Sequence, residues 1–271
     1  MDTKTFRMYE YPPAEALEKK EGISYPEFTK YHYYSRTAER ETPVNVLLPT
    51  DMEEGKKYPV LYILHGYWDN EDWMARDIVH ISDMLGNLWA SGEAEKFITV
   101  LPYNFTSKEL TACTGMDYQN SEAYDNFIND FFLDLKPYIE ENFPVKTGRD
   151  NTAVTGFSMG GREGLFIGLT NSDKFGYVAG CCPAPGLTRG EIEPWMLEES
   201  ELHHKEGYMP EVVMVSYAEL DGVVNPWPQK YDRLLTENGT EHLLHVMSKT
   251  GHDHESVTPH LYNYFRLIFR K

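Results

Sequence analysis

Cysteine is scarce in this sequence: only Cys113, Cys181 and Cys182 occur in 271 residues. An odd count with two neighbours adjacent in the chain makes no disulfide framework, and the three read as small buried residues of a reduced protein. No Cys-x-x-Cys or His-Glu-x-x-His spacing accompanies them, so no metal is expected, and no motif calls for a cofactor. Positive charge is also short. Lys and Arg number 25 against 43 Asp and Glu, a formal net charge of -18. That balance argues against nucleic acid, whose binding draws on clustered cations, and against anionic membrane surfaces. A run of about eighteen apolar residues, the minimum for a membrane-spanning helix, is missing. Met1-Asp2-Thr3-Lys4-Thr5-Phe6 lacks the apolar core of a signal peptide. The chain therefore reads as cytoplasmic as it stands, or as secreted if a leader or neighbouring modules have been trimmed. Repeats and low-complexity segments are lacking too.

What is present is an alternation of short apolar strands and amphipathic helices. Residues 1–30, broken by Pro12, Pro13, Gly22 and Pro26, read as an extended lead-in, and 31–271 as one domain. Strands are expected at 31–35 and 44–48, forming an antiparallel edge, and then at 60–64, 97–101, 152–155, 177–182, 212–217 and 243–247. Helices are expected at 78–90, 123–143, 161–169, 229–237 and 257–269. Val60-Leu61-Tyr62-Ile63-Leu64 is a continuous apolar run, as a strand covered on both faces requires. The order predicts an α/β fold with a mostly parallel central sheet and helices on both faces. Residues 183–210 are irregular and long for a connection, which suggests a lid or cleft wall.

Gly156-Phe157-Ser158-Met159-Gly160 falls between a predicted strand and a predicted helix, where the nucleophile elbow of an α/β hydrolase belongs. A serine there needs a base, and the base an orienting acid. Ala218-Glu219-Leu220-Asp221-Gly222 follows one later strand and Gly251-His252-Asp253-His254 follows the last. The order Ser158, Asp221, His252 is that of the α/β hydrolases, with each residue past a strand end, where ligands bind in open parallel sheets. Glu219 is the alternative acid and His254 the alternative base. Asp221 is preferred because Gly222 permits a tight loop, and His252 because Gly251 frees its backbone. His65-Gly66-Tyr67-Trp68 ends the apolar strand at 60–64, so the amides of Tyr67 and Met159 are the natural oxyanion donors. Trp68, Trp73, Tyr103 and Trp227 lie in predicted loops and offer flat faces to a sugar or phenolic group. Trp68, Trp227 and His65 are the substrate-side candidates, with His65 given mainly to bracing the loop.

These motifs resemble the esterase D group and, within it, the feruloyl and acetyl-xylan esterases of carbohydrate esterase family 1. The resemblance covers residues 42–269 and rests on Tyr58-Pro59-Val60-Leu61-Tyr62-Ile63-Leu64-His65-Gly66, the elbow with Gly161, Gly168 to Phe175, and Gly251-His252-Asp253. It implies a serine carboxylic ester hydrolase acting on a small-molecule or oligosaccharide ester of plant cell-wall polysaccharide. The same residues carry over as triad and oxyanion donors. Tyr67 and Trp68 stand where many members have a glycine-rich turn, which leaves the released acid open. A thioesterase of the S-formylglutathione hydrolase type and a catalytically silent carbohydrate-binding relative are the alternatives. Oligomeric state is not legible.

Overall fold

The run at 60–64 becomes β3 (Val60–Leu64), and its alternate side chains enter two different cores. Leu61 and Ile63 face a cluster with Leu85, Leu88, Phe97 and Phe265, whereas Val60, Tyr62 and Leu64 face one with Phe127, Phe131, Leu165 and Tyr231. A strand buried on both faces leaves no room for the polar alternation of a one-sided sheet. The computed structural model describes residues 6–185 and 201–270; of the lid-like segment expected at 183–210, residues 186–200 lie outside the described residues.

Around β3 lie β1 (Phe28–Ser35), β2 (Arg40–Leu47), β4 (Ile98–Pro102), β5 (Thr152–Gly156), β6 (Tyr177–Cys181), β7 (Val212–Ala218) and β8 (Leu243–Met247). They form one eight-stranded sheet in the order β1-β2-β4-β3-β5-β6-β7-β8. β1 and β2 run antiparallel at one edge, and the strands from β4 to β8 are parallel. This is the α/β-hydrolase fold. Helices α1 (Ile81–Ser91) and α6 (His254–Leu267) cover one face. The other face carries α2 (Tyr118–Asp130), α3 (Lys136–Asn142), α4 (Met159–Thr170) and α5 (Trp227–Glu237). Among the described residues no helix is long and apolar enough to cross a membrane.

One continuous helix was expected over 123–143, and the structure instead joins α2 to α3 by a π-helical turn at Phe131–Leu135. The spacing explains the difference. Phe127, Phe131, Leu135 and Ile139 recur every four residues, which overruns the 3.6-residue turn of an α-helix. A wider π-turn absorbs the excess, so that all four remain fully buried against the sheet. The helix also begins five residues early, because the Asp117 side chain accepts the Asn120 amide and caps it.

The N-terminal segment is strapped across α1 and α6. Asn87 in α1 donates to the carbonyls of Ala16 and Glu18, and Asn263 in α6 exchanges two hydrogen bonds with the backbone of Tyr9.

Candidate active site

The chain leaves β5 through Ser158, whose backbone has φ 57° and ψ -116°, and enters α4 at Met159. Such a left-handed turn at a non-glycine residue is strained and persists only where its surroundings fix it. Here the Ser158 amide donates to the Cys181 carbonyl at 2.9 Å, the Phe157 amide to Leu64 at 3.0 Å, and the Ser158 carbonyl accepts from Arg162 and Ala184. The flanking glycines allow the turn to pass the β3 end. A β-carbon on Gly160 would lie 2.3 Å from the Leu64 carbonyl oxygen, and one on Gly156 would lie 2.3 Å from the Gly160 oxygen. Since both obstacles are backbone, Gly160→Ala is expected to cost at least about 3 kcal/mol or to prevent folding. Urea unfolding checks this, and a variant as stable as the parent would contradict the packing.

Ser158 Oγ lies 2.9 Å from His252 Nε2, and His252 Nδ1 lies 2.7 Å from Asp221 Oδ2. With Nδ1–H donating to the carboxylate, Nε2 is left to accept from the serine hydroxyl. Asp221 Oδ1 takes the amides of Val223 and Val224 at 2.8 and 3.0 Å, which fixes the acid's orientation. Burial pushes the Asp221 carboxyl up, but the His252 contact and those two amides outweigh it and hold the group below the usual range. Burial likewise pushes the His252 imidazole down; its bond to the Asp221 carboxylate, with the nearby Cys182 sulfur, prevails and raises it to about 9. The Phe157 ring packs on His252 with centroids 4.5 Å apart, and Trp73 stacks on Phe157 at 5.5 Å.

Cys182, in the left-handed region at φ 44°, stands behind the histidine. Its Sγ, an Asp221 oxygen and a His252 nitrogen lie within 4.8 Å of one another, a donor set a soft divalent ion could use. Yet both imidazole nitrogens and both Asp221 oxygens are already committed to the serine chain and its amides. The set serves the Ser158 chain as it stands.

The loop after β3 passes beside the serine: a β-carbon on Gly66 would lie 3.4 Å from Ser158 Cβ. Among the described residues, neither the Tyr67 amide nor the Met159 amide, the first of α4, donates to a partner. The Trp68 amide is taken by the buried Tyr124 hydroxyl at 3.0 Å, and the Tyr67 ring stacks on Tyr124 with centroids 4.6 Å apart. His65 is sealed at 1% exposure, and Nδ1 donates to the Gly66 carbonyl at 2.8 Å while Nε2 accepts the Asn104 amide at 3.1 Å. Burial lowers its pKa to about 4, so it stays neutral. The expectation that His65 reaches substrate is thereby corrected: every ring nitrogen is spent on the loop. Asn104 completes the brace by bonding the His65 backbone at both ends and the buried Glu163 carboxyl at 2.6 Å.

Trp68 is 55% exposed and lines a cleft of about 490 Å³ with Asp69, Tyr103 and Phe105. Trp227 is not in a loop; it opens α5, half-buried against the core around Tyr231, with the Lys230 ammonium 3.9 Å over its ring. The structure does not bring it into that cleft. His254 is also displaced. Asp253 caps α6 one residue ahead of it, and the helix turns His254 toward a separate hollow with Tyr11, His80 and Thr258. Glu219 is exposed, with its amide on the Met247 carbonyl. Asn104, Tyr124, Cys182 and Asp69 were not singled out from sequence. Asn104 follows β4 as His65 follows β3, and that position past a strand end was the available signal.

A family profile described as "Putative esterase" matches residues 35–208. The chain belongs to this esterase family. A ferulic acid esterase of the CE1 class from Anaeromyces mucronatus, solved in complex with ferulic acid, is similar over 98% of both chains at 36% identity, with a TM-score of 0.90. The "Endo-1,4-beta-xylanase/feruloyl esterase" of Xylanibacter ruminicola is 30% identical over 164 residues, which span 58% of this chain and 22% of that protein. The S-formylglutathione hydrolase of Staphylococcus aureus shares the fold, at 17% identity and a TM-score of 0.66. The chain is therefore a member of this esterase family with the α/β-hydrolase fold.

Proposed function

We propose that this esterase hydrolyses feruloyl esters of plant cell-wall polysaccharide through Ser158, His252 and Asp221. The observation that carries the catalytic reading is the Ser158–His252–Asp221 chain at 2.9 and 2.7 Å, together with the Tyr67 and Met159 amides, which donate to no partner among the described residues. Support for ferulate as the acyl group comes from the 36% identity to the ferulic acid complex over 98% of both chains.

In this reading His252 Nε2 takes the proton of Ser158 as Oγ attacks the ester carbonyl. Asp221 holds the imidazole in the correct tautomer and stabilises the imidazolium. The amides of Tyr67 and Met159 receive the oxyanion, a service worth about 100-fold to 1000-fold per donor in comparable sites. His252 then returns the proton to the leaving alcohol, and water repeats the sequence on the acyl-enzyme. Comparing methyl ferulate with acetylated xylan, a simple acetate ester and S-formylglutathione tests the assignment. Preference for the ferulate ester supports it, and preference for the thioester overturns it.

Because the base works only when neutral, activity is full above the His252 pKa and is lost as pH falls through it. That pKa is raised from 6.5 to about 9. kcat/KM, which reports the free enzyme, is expected to rise through the neutral range toward an alkaline plateau. A profile flat down to pH 4 would contradict His252 as base.

A further inference from the structure

One acidic group beside the nucleophile takes no part in this chemistry. Asp69 Oδ2 and Ser158 Cβ lie 3.1 and 3.4 Å from a single point, the position of a β-carbon on Gly66, and Phe157 Cδ1 is 3.4 Å from it. Among the described residues, no donor bonds the Asp69 carboxylate. An unpaired, half-buried carboxylate is costly to maintain, and burial lifts this one to about 6 against the pull of Arg76 and His252. It also lines the 490 Å³ cleft whose walls include Trp68, Tyr103 and Phe105.

Its position points to one half of the ester. His252 must hand its proton to the leaving alcohol, so the alcohol's oxygen lies by Nε2 and its first carbons lie nearby. Asp69 Oδ2 and Phe157 Cδ1 both approach the same point beside Gly66, and Phe157 packs on the His252 ring. The carboxylate therefore lies near the Phe157–His252 flank of the nucleophile, where the leaving alcohol departs in this reading, and it also lines the cleft with Trp68, Tyr103 and Phe105.

We infer that Asp69 is a specificity residue for the alcohol: its carboxylate accepts hydroxyl groups of a sugar next to the ester oxygen, and the cleft beyond holds the glycosyl unit. This rests on Ser158 being the nucleophile. A carboxylate has no hydrogen of its own to give, so it favours alcohols rich in hydroxyl donors and does nothing for a methyl ester. Hydrogen bonds to charged groups are stronger than neutral ones, which suits a polyol over a plain alkanol.

The test compares kcat/KM of wild type, Asp69→Ala and Asp69→Asn on methyl ferulate and on a feruloyl ester of a pentose. Asp69→Ala is expected to lose roughly tenfold to a hundredfold on the pentose ester while staying within about twofold on methyl ferulate. Asp69→Asn, which keeps an acceptor but not the charge, falls between and serves if the alanine variant does not fold. An equal loss on both esters would mean a structural role, and no loss on either would mean no contact; each overturns the inference. The same pair of alcohols carried on acetate keeps the two readings apart. If wild type rejects ferulate, the acyl assignment fails while the alcohol ratio still reports on Asp69.

Discussion

The Ser158→Ala enzyme is expected to lose hydrolysis of methyl ferulate by a factor on the order of a million, the loss seen when a triad nucleophile is removed. Its fold should survive. The turn is held by backbone bonds from Phe157 and Ser158 to Leu64 and Cys181, none of which involves the hydroxyl, and alanine adds no bulk to a site pressed on all sides. Thermal unfolding should stay near wild type while turnover vanishes. Residual activity within tenfold of wild type would remove Ser158 from the mechanism.

Asp221→Asn is expected to lower kcat by about 10,000-fold, and the hydrogen bonds give the reason. Asp221 Oδ1 already accepts the Val223 and Val224 amides, so an asparagine would keep its oxygen there and turn its NH₂ toward His252. Nδ1 would then have to accept, and the ring proton would move to Nε2, where it faces Ser158 Oγ. A base with its proton on the wrong nitrogen cannot take another. The variant should also lose the electrostatic support that raises the imidazole, so its residual pH profile should shift to lower pH. An unchanged kcat would return Glu219 to consideration as the acid.

Much of the fold and of the serine chain was legible because the physics is local or topological. β3 could be read from one uninterrupted apolar run, and the three polar residues from their places past strand ends in the required order. The misplaced details had other causes. Four-residue spacing from Phe127 to Ile139 looks like one helix until the drift against a 3.6-residue turn is counted, and then a π-turn is needed. Trp227 and His254 were placed in loops because their helices begin two and three residues before the apolar pattern does. What sequence did not disclose lies in contacts between distant segments. Tyr124 holds the Trp68 amide from 56 residues away, and Asn104 holds His65 from 39 away. Neither residue type advertises such a partner. Asp69 was hidden by its neighbours, since an acidic residue in Trp68-Asp69-Asn70-Glu71-Asp72 reads as surface charge until Gly66 and Ser158 are seen beside it.

The most direct test of the account is to treat the wild-type protein with a fluorophosphonate and map the adduct by peptide mass spectrometry. The account predicts one stoichiometric adduct on Ser158, in the peptide containing Gly156-Phe157-Ser158-Met159-Gly160, with simultaneous loss of esterase activity. An adduct on another serine, or full activity with Ser158 modified, would contradict it.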